Sequence, residues 1–248
     1  MANKGFFSSS NPMFNDNTYR SESLDGGFVI DRGEVMTVRG AINKSFLLLL
    51  VLLVTGAWSF MNPNPIFIWG GAIGSLVAVL VAAFKREWSP FLAPAYAALS
   101  GLFVGGVSLM YASMYNGIIF QAVTLTVALL FTMLFIYRSG LIKVTEKFRA
   151  GVVMATGAVL IVYLMTWGLS FFGIQMPFIH ENGLMGIGIN LVIIGIACMN
   201  LLLDFDNFER GEEAKAPMHM EWFSAMGLII TLVWLYLELL RLLSKLRD

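Results

Sequence analysis

Charge is what this chain has least of. Asp, Glu, Lys and Arg make up 13% of its 248 residues, about half the 25% typical of a soluble domain. Hydrophobic residues reach 58% and mean hydropathy is +0.76. These values exclude a water-soluble globule and point to an integral membrane protein. Net charge is zero, so bulk electrostatics imply neither nucleic acid nor an acidic partner. There is one cysteine, Cys198, inside an apolar run. It forms no intrachain disulfide and reads as a small packing residue. The two histidines, His180 and His219, fall at opposite ends of spans, which leaves no histidine metal or protease site. No mid-span lysine in the last run suits a retinal, and no phosphate-binding glycine pattern occurs. Asp204-x-Asp206-x-Phe208 lacks the third ligand and the glycine of a calcium-binding EF-hand loop. The sequence does not read as an enzyme, and no cofactor is expected.

What the chain has is long apolar runs. Seven approach or reach the ~20 residues that cross a hydrocarbon core: Phe46–Met61, Ile66–Phe84, Pro90–Met110, Gly117–Tyr137, Gly151–Phe172, Leu184–Leu203 and Trp222–Leu243. No alternation of strand period suggests a barrel. The expected class is all-α, a polytopic membrane protein of seven transmembrane helices. Residues 1–45 form a polar tail, with an amphipathic helix around Glu34–Lys44 leading into the membrane, and residues 46–248 form the transmembrane domain. Asn62-Pro63-Asn64-Pro65 is a tight turn, and Pro90 and Pro94 open the third span. Gly101, Gly105, Gly106, Gly151, Gly157, Gly186, Gly188 and Gly195 offer surfaces for close helix approach.

Basic residues orient the bundle. With the N-terminus inside, the inner side holds Lys4, Arg20, Arg32, Arg39, Lys44, Lys85, Arg86, Arg138, Lys143, Lys147, Arg149, Arg210 and Lys215. The outer side holds only Arg241, Lys245 and Arg247, three of sixteen, and the loop Gly173–Gly183 has none. The expectation is a multi-pass protein of the cell (inner) membrane with a cytoplasmic N-terminus. A seventh helix that only half inserts and returns inward is the alternative.

Carboxylates at or within a span are functional candidates, since each costs roughly 2.5–3.5 kcal/mol to insert. The apolar run that includes Asn190 stops at Leu203-Asp204, a charged connection follows over Glu209–Lys215, and the last helix starts at Glu221 and carries Glu238. Asp204 and Asp206 point about 200° apart on a helix. Asp204 shares a face with Asn200 and Asn207, with Asn190 on nearly the same stripe, and is assigned to the interior. Asp206 has Arg210 at i+4 and is assigned to the rim. Alternatively, both aspartates simply mark the helix's exit to water. Glu221 lies at a depth similar to Asp204; Glu238 is roughly 25 Å further along. Glu221, Ser224, Thr231 and Glu238 form one polar stripe, so this helix is best buried at the centre of the other six. Alternatively, Ser224 and Thr231 bond their own backbone and Glu238 pairs with Arg241. A buried carboxylate pair can hold one shared proton near neutral pH, and its oxygens suit calcium. Asp204 with Glu221 is therefore the candidate latch and metal pair, with Asp206, Glu238 and Asn200 as further gating or ion-binding residues.

Several motifs together resemble the Bax inhibitor / YccA family: Pro177-Phe178-Ile179-His180, Gly186-Ile187-Gly188, Asn200-Leu201-Leu202-Leu203-Asp204-Phe205-Asp206, Met220-Glu221-Trp222 and Trp234 through Arg241. Ser89 to Pro94 and Tyr137 to Ile142 extend the likeness over roughly residues 40–247, and Asn11-Pro12 in the polar extension resembles a bacterial branch. The resemblance implies two layers of three helices around a central seventh. It also implies a pH-sensitive calcium leak controlled by an acid on each of the last two helices. The first maps onto Asp204; the second can be laid on Glu221-Trp222-Phe223 or on Glu238-Leu239-Leu240. Some members of the family bind and modulate a membrane protease, so a non-conducting regulator is the alternative function.

Overall fold

The computed structural model describes residues 35–170, 172 and 183–247. The tail before Val35 and the segment 173–182, with Asn11-Pro12 and Pro177–His180, lie outside the described residues. Seven helices are long and apolar enough to cross a membrane: α1 Val38–Met61, α2 Pro65–Phe84, α3 Ser89–Met114, α4 Ile118–Ser139, α5 Glu146–Ser170, α6 Leu184–Glu213 and α7 His219–Lys245.

Their ends follow local chemistry. Thr37 caps α1, its hydroxyl accepting the Gly40 amide at 2.9 Å. Asn64 caps α2, with Pro65 where a missing amide costs least. A 3-10 turn, Arg86–Trp88, leads into α3, and Pro94 lies inside that helix rather than at its opening. Gly117 and Gly140 flank α4 at φ 72° and 69°, a left-handed conformation that glycine adopts without Cβ strain. The amphipathic helix expected before the first span is part of α1, which runs unbroken from Val38 into the membrane.

α1, α2 and α3 pack as one group, α4, α5 and α6 as another, and α7 lies between them. α7 is the most buried of the seven, and Glu221, Thr231, Glu238, Ser244 and Lys245 are among its buried residues. Its backbone runs closest to α1, α3, α4 and α6, while α5 packs on α6 and reaches α7 through Tyr163, and α2 leans on α3. The seventh helix is thus central.

Glycine sets the spacing of the first group. A Cβ at Gly101 would fall on Thr55 and the Leu52 carbonyl, and one at Gly105 on the Gly56 carbonyl, so α1 and α3 meet backbone to backbone. By contrast Gly151, Gly157, Gly188 and Gly195 face open space, and the close approach expected of them does not occur among the described residues. Between α1, α3, α4 and α7 lies an apolar crevice of about 330 Å³. Its few hydroxyls bond within the bundle, Ser108 with Tyr236 and Thr126 with the Ala122 carbonyl, and the rest of its lining side chains are apolar.

One expectation about the sixth helix needs correction, and the seventh is the spanning helix expected rather than its half-inserted alternative. The charged stretch from Glu209 is not all connection: α6 continues nine residues past Asp204 to Glu213. Its 30 residues span about 45 Å, half as long again as a ~30 Å hydrocarbon core. Beyond Asp204, the charges of Asp206, Glu209 and Arg210 meet Arg149, Tyr137 and Glu146 of neighbouring helices, so the helix continues. α7 is one continuous helix of 27 residues and does not turn back. Its end lies beside the α3–α4 connection, where Arg247 donates to the Asn116 carbonyl and to Gln121, both at 2.8 Å.

Candidate functional site

The acids on α6 and α7 occupy three separate environments. Asp204 points from α6 at α7. A Cβ on Gly227 would stand 3.6 Å from its Oδ1, ordinary contact distance, so the carboxylate lies against α7 at this glycine. One turn on, the Thr231 hydroxyl is turned to the Gly227 carbonyl at 3.3 Å. Asp204 Oδ2 is buried with no hydrogen-bond partner among the described residues. No lysine or arginine forms an ion pair with Asp204 there. An unpaired charge in such surroundings is costly, and a proton or a cation removes that cost.

Asp206 faces the other way, as its spacing predicts. It pairs with Arg149 of α5 and, at 2.6 Å, with Arg210 one turn on. Arg149 also donates to Asn207 at 2.8 Å, and Arg210 reaches Glu146 at 2.6 Å. On the neighbouring face the Tyr137 hydroxyl donates to Glu209 at 2.6 Å, with the Tyr137 ring against Phe205. These bonds tie α4 and α5 to the protruding part of α6. Asn200 does not share the surroundings of Asp204. It bonds Thr156 of α5 at 2.7 Å and the Ile196 carbonyl at 2.9 Å.

Glu221 is not the partner of Asp204. Its Oε1 accepts the Thr37 amide at 2.8 Å and the Thr37 hydroxyl at 3.0 Å, and its Oε2 pairs with Lys44, whose ammonium also lies over the Trp222 ring. The reason is register. Because α6 runs about 13 Å past Asp204 before the chain turns, Asp204 meets α7 at Gly227 and Thr231. Those residues lie six and ten beyond Glu221, about 9 and 15 Å up the axis. The expected shared-proton latch and two-carboxylate metal pair are therefore not assembled. Among the described residues no three His, Cys, Asp or Glu side chains gather as a metal would need.

Glu238 lies near the other end of α7, 1% exposed. Its carboxylate accepts from Tyr163 of α5 at 2.6 Å, from Asn190 of α6 at 2.9 Å, and from Arg241 at 3.1 and 3.2 Å. Arg241 also donates to the Tyr163 hydroxyl at 2.7 Å, and Lys245, itself buried, donates to Asn190 at 2.7 Å and to the Gly186 carbonyl at 3.3 Å. The expected Arg241 pair exists, with its Glu238 end buried and its Arg241 end partly exposed. Thr37, Lys44, Tyr163 and Lys245 were not singled out as site residues by sequence reasoning. Tyr163 and Asn190, as polar groups inside apolar runs, were the available signal. The bonds from Thr37 and Lys44 to Glu221 had none.

The family model described as Bax inhibitor 1 like matches residues 6–248. No curated protein and no solved structure matches the chain.

Proposed function

The chain belongs to the Bax inhibitor 1 like family, and from that premise we propose that it is a proton-sensitive cation leak, with calcium as the permeant ion and Asp204 alone as the responsive carboxylate. The observation that carries this reading is the buried, unpartnered Oδ2 of Asp204, opposite a glycine on the central helix. Glu221 and Glu238 are engaged by basic residues and act as closures at the two ends of α7. The YccA-like, bacterial character and the inner membrane as location belong to the same proposal.

The test is calcium efflux from loaded vesicles containing the purified protein, between about pH 5 and 8, a range in which folded proteins keep their stability. Wild type leaks with a pH dependence; Asp204→Asn, which cannot change charge, flattens it. Asp206→Asn keeps the pH response but loses stability, because Arg149 is left without its acid and Arg210 keeps only Glu146. Equal effects of the two substitutions would sink the assignment to Asp204. Absence of any leak would put the non-conducting regulator of other membrane proteins, such as a membrane protease, in its place.

Orientation is proposed from the basic residues at the Thr37 end of the bundle, with the N-terminus cytoplasmic. A reporter after Lys215 should read as cytoplasmic, while reporters inserted near Asn182 or fused after Asp248 read as external. Like readings after Lys215 and after Asp248 contradict an α7 that crosses the membrane.

A further inference from the structure

The residues just before α1 do more than enter the membrane. Val35 forms an antiparallel bridge with Pro217 in the α6–α7 connection, and the Met36 amide donates to the Ala216 carbonyl at 2.7 Å. The Met36 side chain, 1% exposed, fills the space over Gly211 that a Cβ there would need. Thr37 places both its amide and its hydroxyl on Glu221 Oε1, and the Val38 amide reaches Glu212 at 3.3 Å. A Cβ at Gly40 would occupy the position of the Glu221 carboxylate. The chain thus lays a strap across the tip of the α6–α7 hairpin and ties it to α1.

That tip is the end of a lever. The part of α6 beyond Asp204 projects about 13 Å, and the strap grips its last turn and the connection that follows. Movement of the tip away from α1 shifts α6 against α7 at Asp204. The grip consists of one buried side chain and a few hydrogen bonds made by a segment whose Val35 and Thr37 are exposed, so it can open while the bundle stays folded. It continues directly into residues 1–34.

We propose that Val35–Thr37 is an autoinhibitory strap that, through Glu221 as a positioning residue, holds the α6–α7 seam closed at Asp204. The proposal rests on the leak reading above. The test uses the full chain with Cys198→Ala, which removes its one cysteine, together with Val35→Cys and Pro217→Cys. Cα atoms paired across a bridge lie within the 4.4–6.8 Å typical of a disulfide, so mild oxidation should close the strap covalently. Calcium efflux from vesicles should then fall at least tenfold on oxidation and recover on reduction. Without the cross-link, Glu221→Gln should raise efflux severalfold, and a thiol reagent should label Met36→Cys faster when Glu221→Gln is present. Failure of the disulfide to form overturns the docked strap. Equal efflux in oxidised and reduced protein, with Asp204→Asn still altering flux, overturns the strap and leaves the leak standing. No efflux in any form removes the leak reading, and the strap's inhibitory role with it.

Discussion

Replacing Glu238 by leucine should cost about 3–5 kcal/mol of stability, the range for removing one partner of a buried ion pair. At roughly 2–4 °C per kcal/mol for a chain of this size, the melting temperature in detergent should fall by about 6–20 °C. The size follows from what remains. Arg241 and Lys245 stay at the α6–α7 interface with no acid between them, Tyr163 and Asn190 lose their acceptor, and α5 loses a direct hold on α7. Glu238→Gln retains an acceptor oxygen and most of the shape, so its loss should be smaller. In the double variant Glu238→Leu, Arg241→Met the Arg241 charge leaves with its partner, and part of the stability should return. A double variant no better than Glu238→Leu alone would show that hydrogen bonding by Tyr163 and Asn190, not charge, is what Glu238 supplies.

Gly105→Val should prevent the bundle from assembling. The valine Cβ would coincide with the Gly56 carbonyl, which belongs to backbone and has no side-chain torsion through which to retreat. α1 and α3 must then separate along their whole contact, and the Ser59 hydroxyl loses the Leu102 carbonyl it reaches at 2.7 Å. The measurement is recovery of monodisperse protein after extraction, expected to fall to background. Gly157→Ala is the contrasting control. Its Cβ meets nothing within 4 Å, and replacing a mid-helix glycine by alanine is worth roughly 0.5–1 kcal/mol to the helix. That variant should be recovered at wild-type yield or above. Equal recovery of the two variants would mean that the glycines do not set helix spacing.

These glycines show where sequence reasoning stops. Gly101, Gly105 and Gly157 all read as sites of close approach, yet only the first two face another backbone. A missing side chain creates the opportunity, and only the neighbour across the interface determines whether it is used.

Seven spans, their order, the basic asymmetry between the two ends, and the burial of the last helix were all legible in the chain itself. Hydropathy and helical period act within a single segment, so no knowledge of neighbours was needed. The opposed facing of Asp204 and Asp206 came from the same local geometry, and the Arg210 pair with it. The partners of the acids were decided elsewhere. Local polarity alone made a connection of Glu209–Lys215, whereas Arg149 and Tyr137, from two other helices, hold α6 as it runs on to Glu213. That extension set the register of α6 against α7 and so separated Asp204 from Glu221. Glu221 instead found Thr37, 184 residues away, and Glu238 found Tyr163, 75 away. A buried carboxylate must be paired or neutralised, but which group pairs it depends on how the helices are set against one another, and only the assembled bundle contains that information.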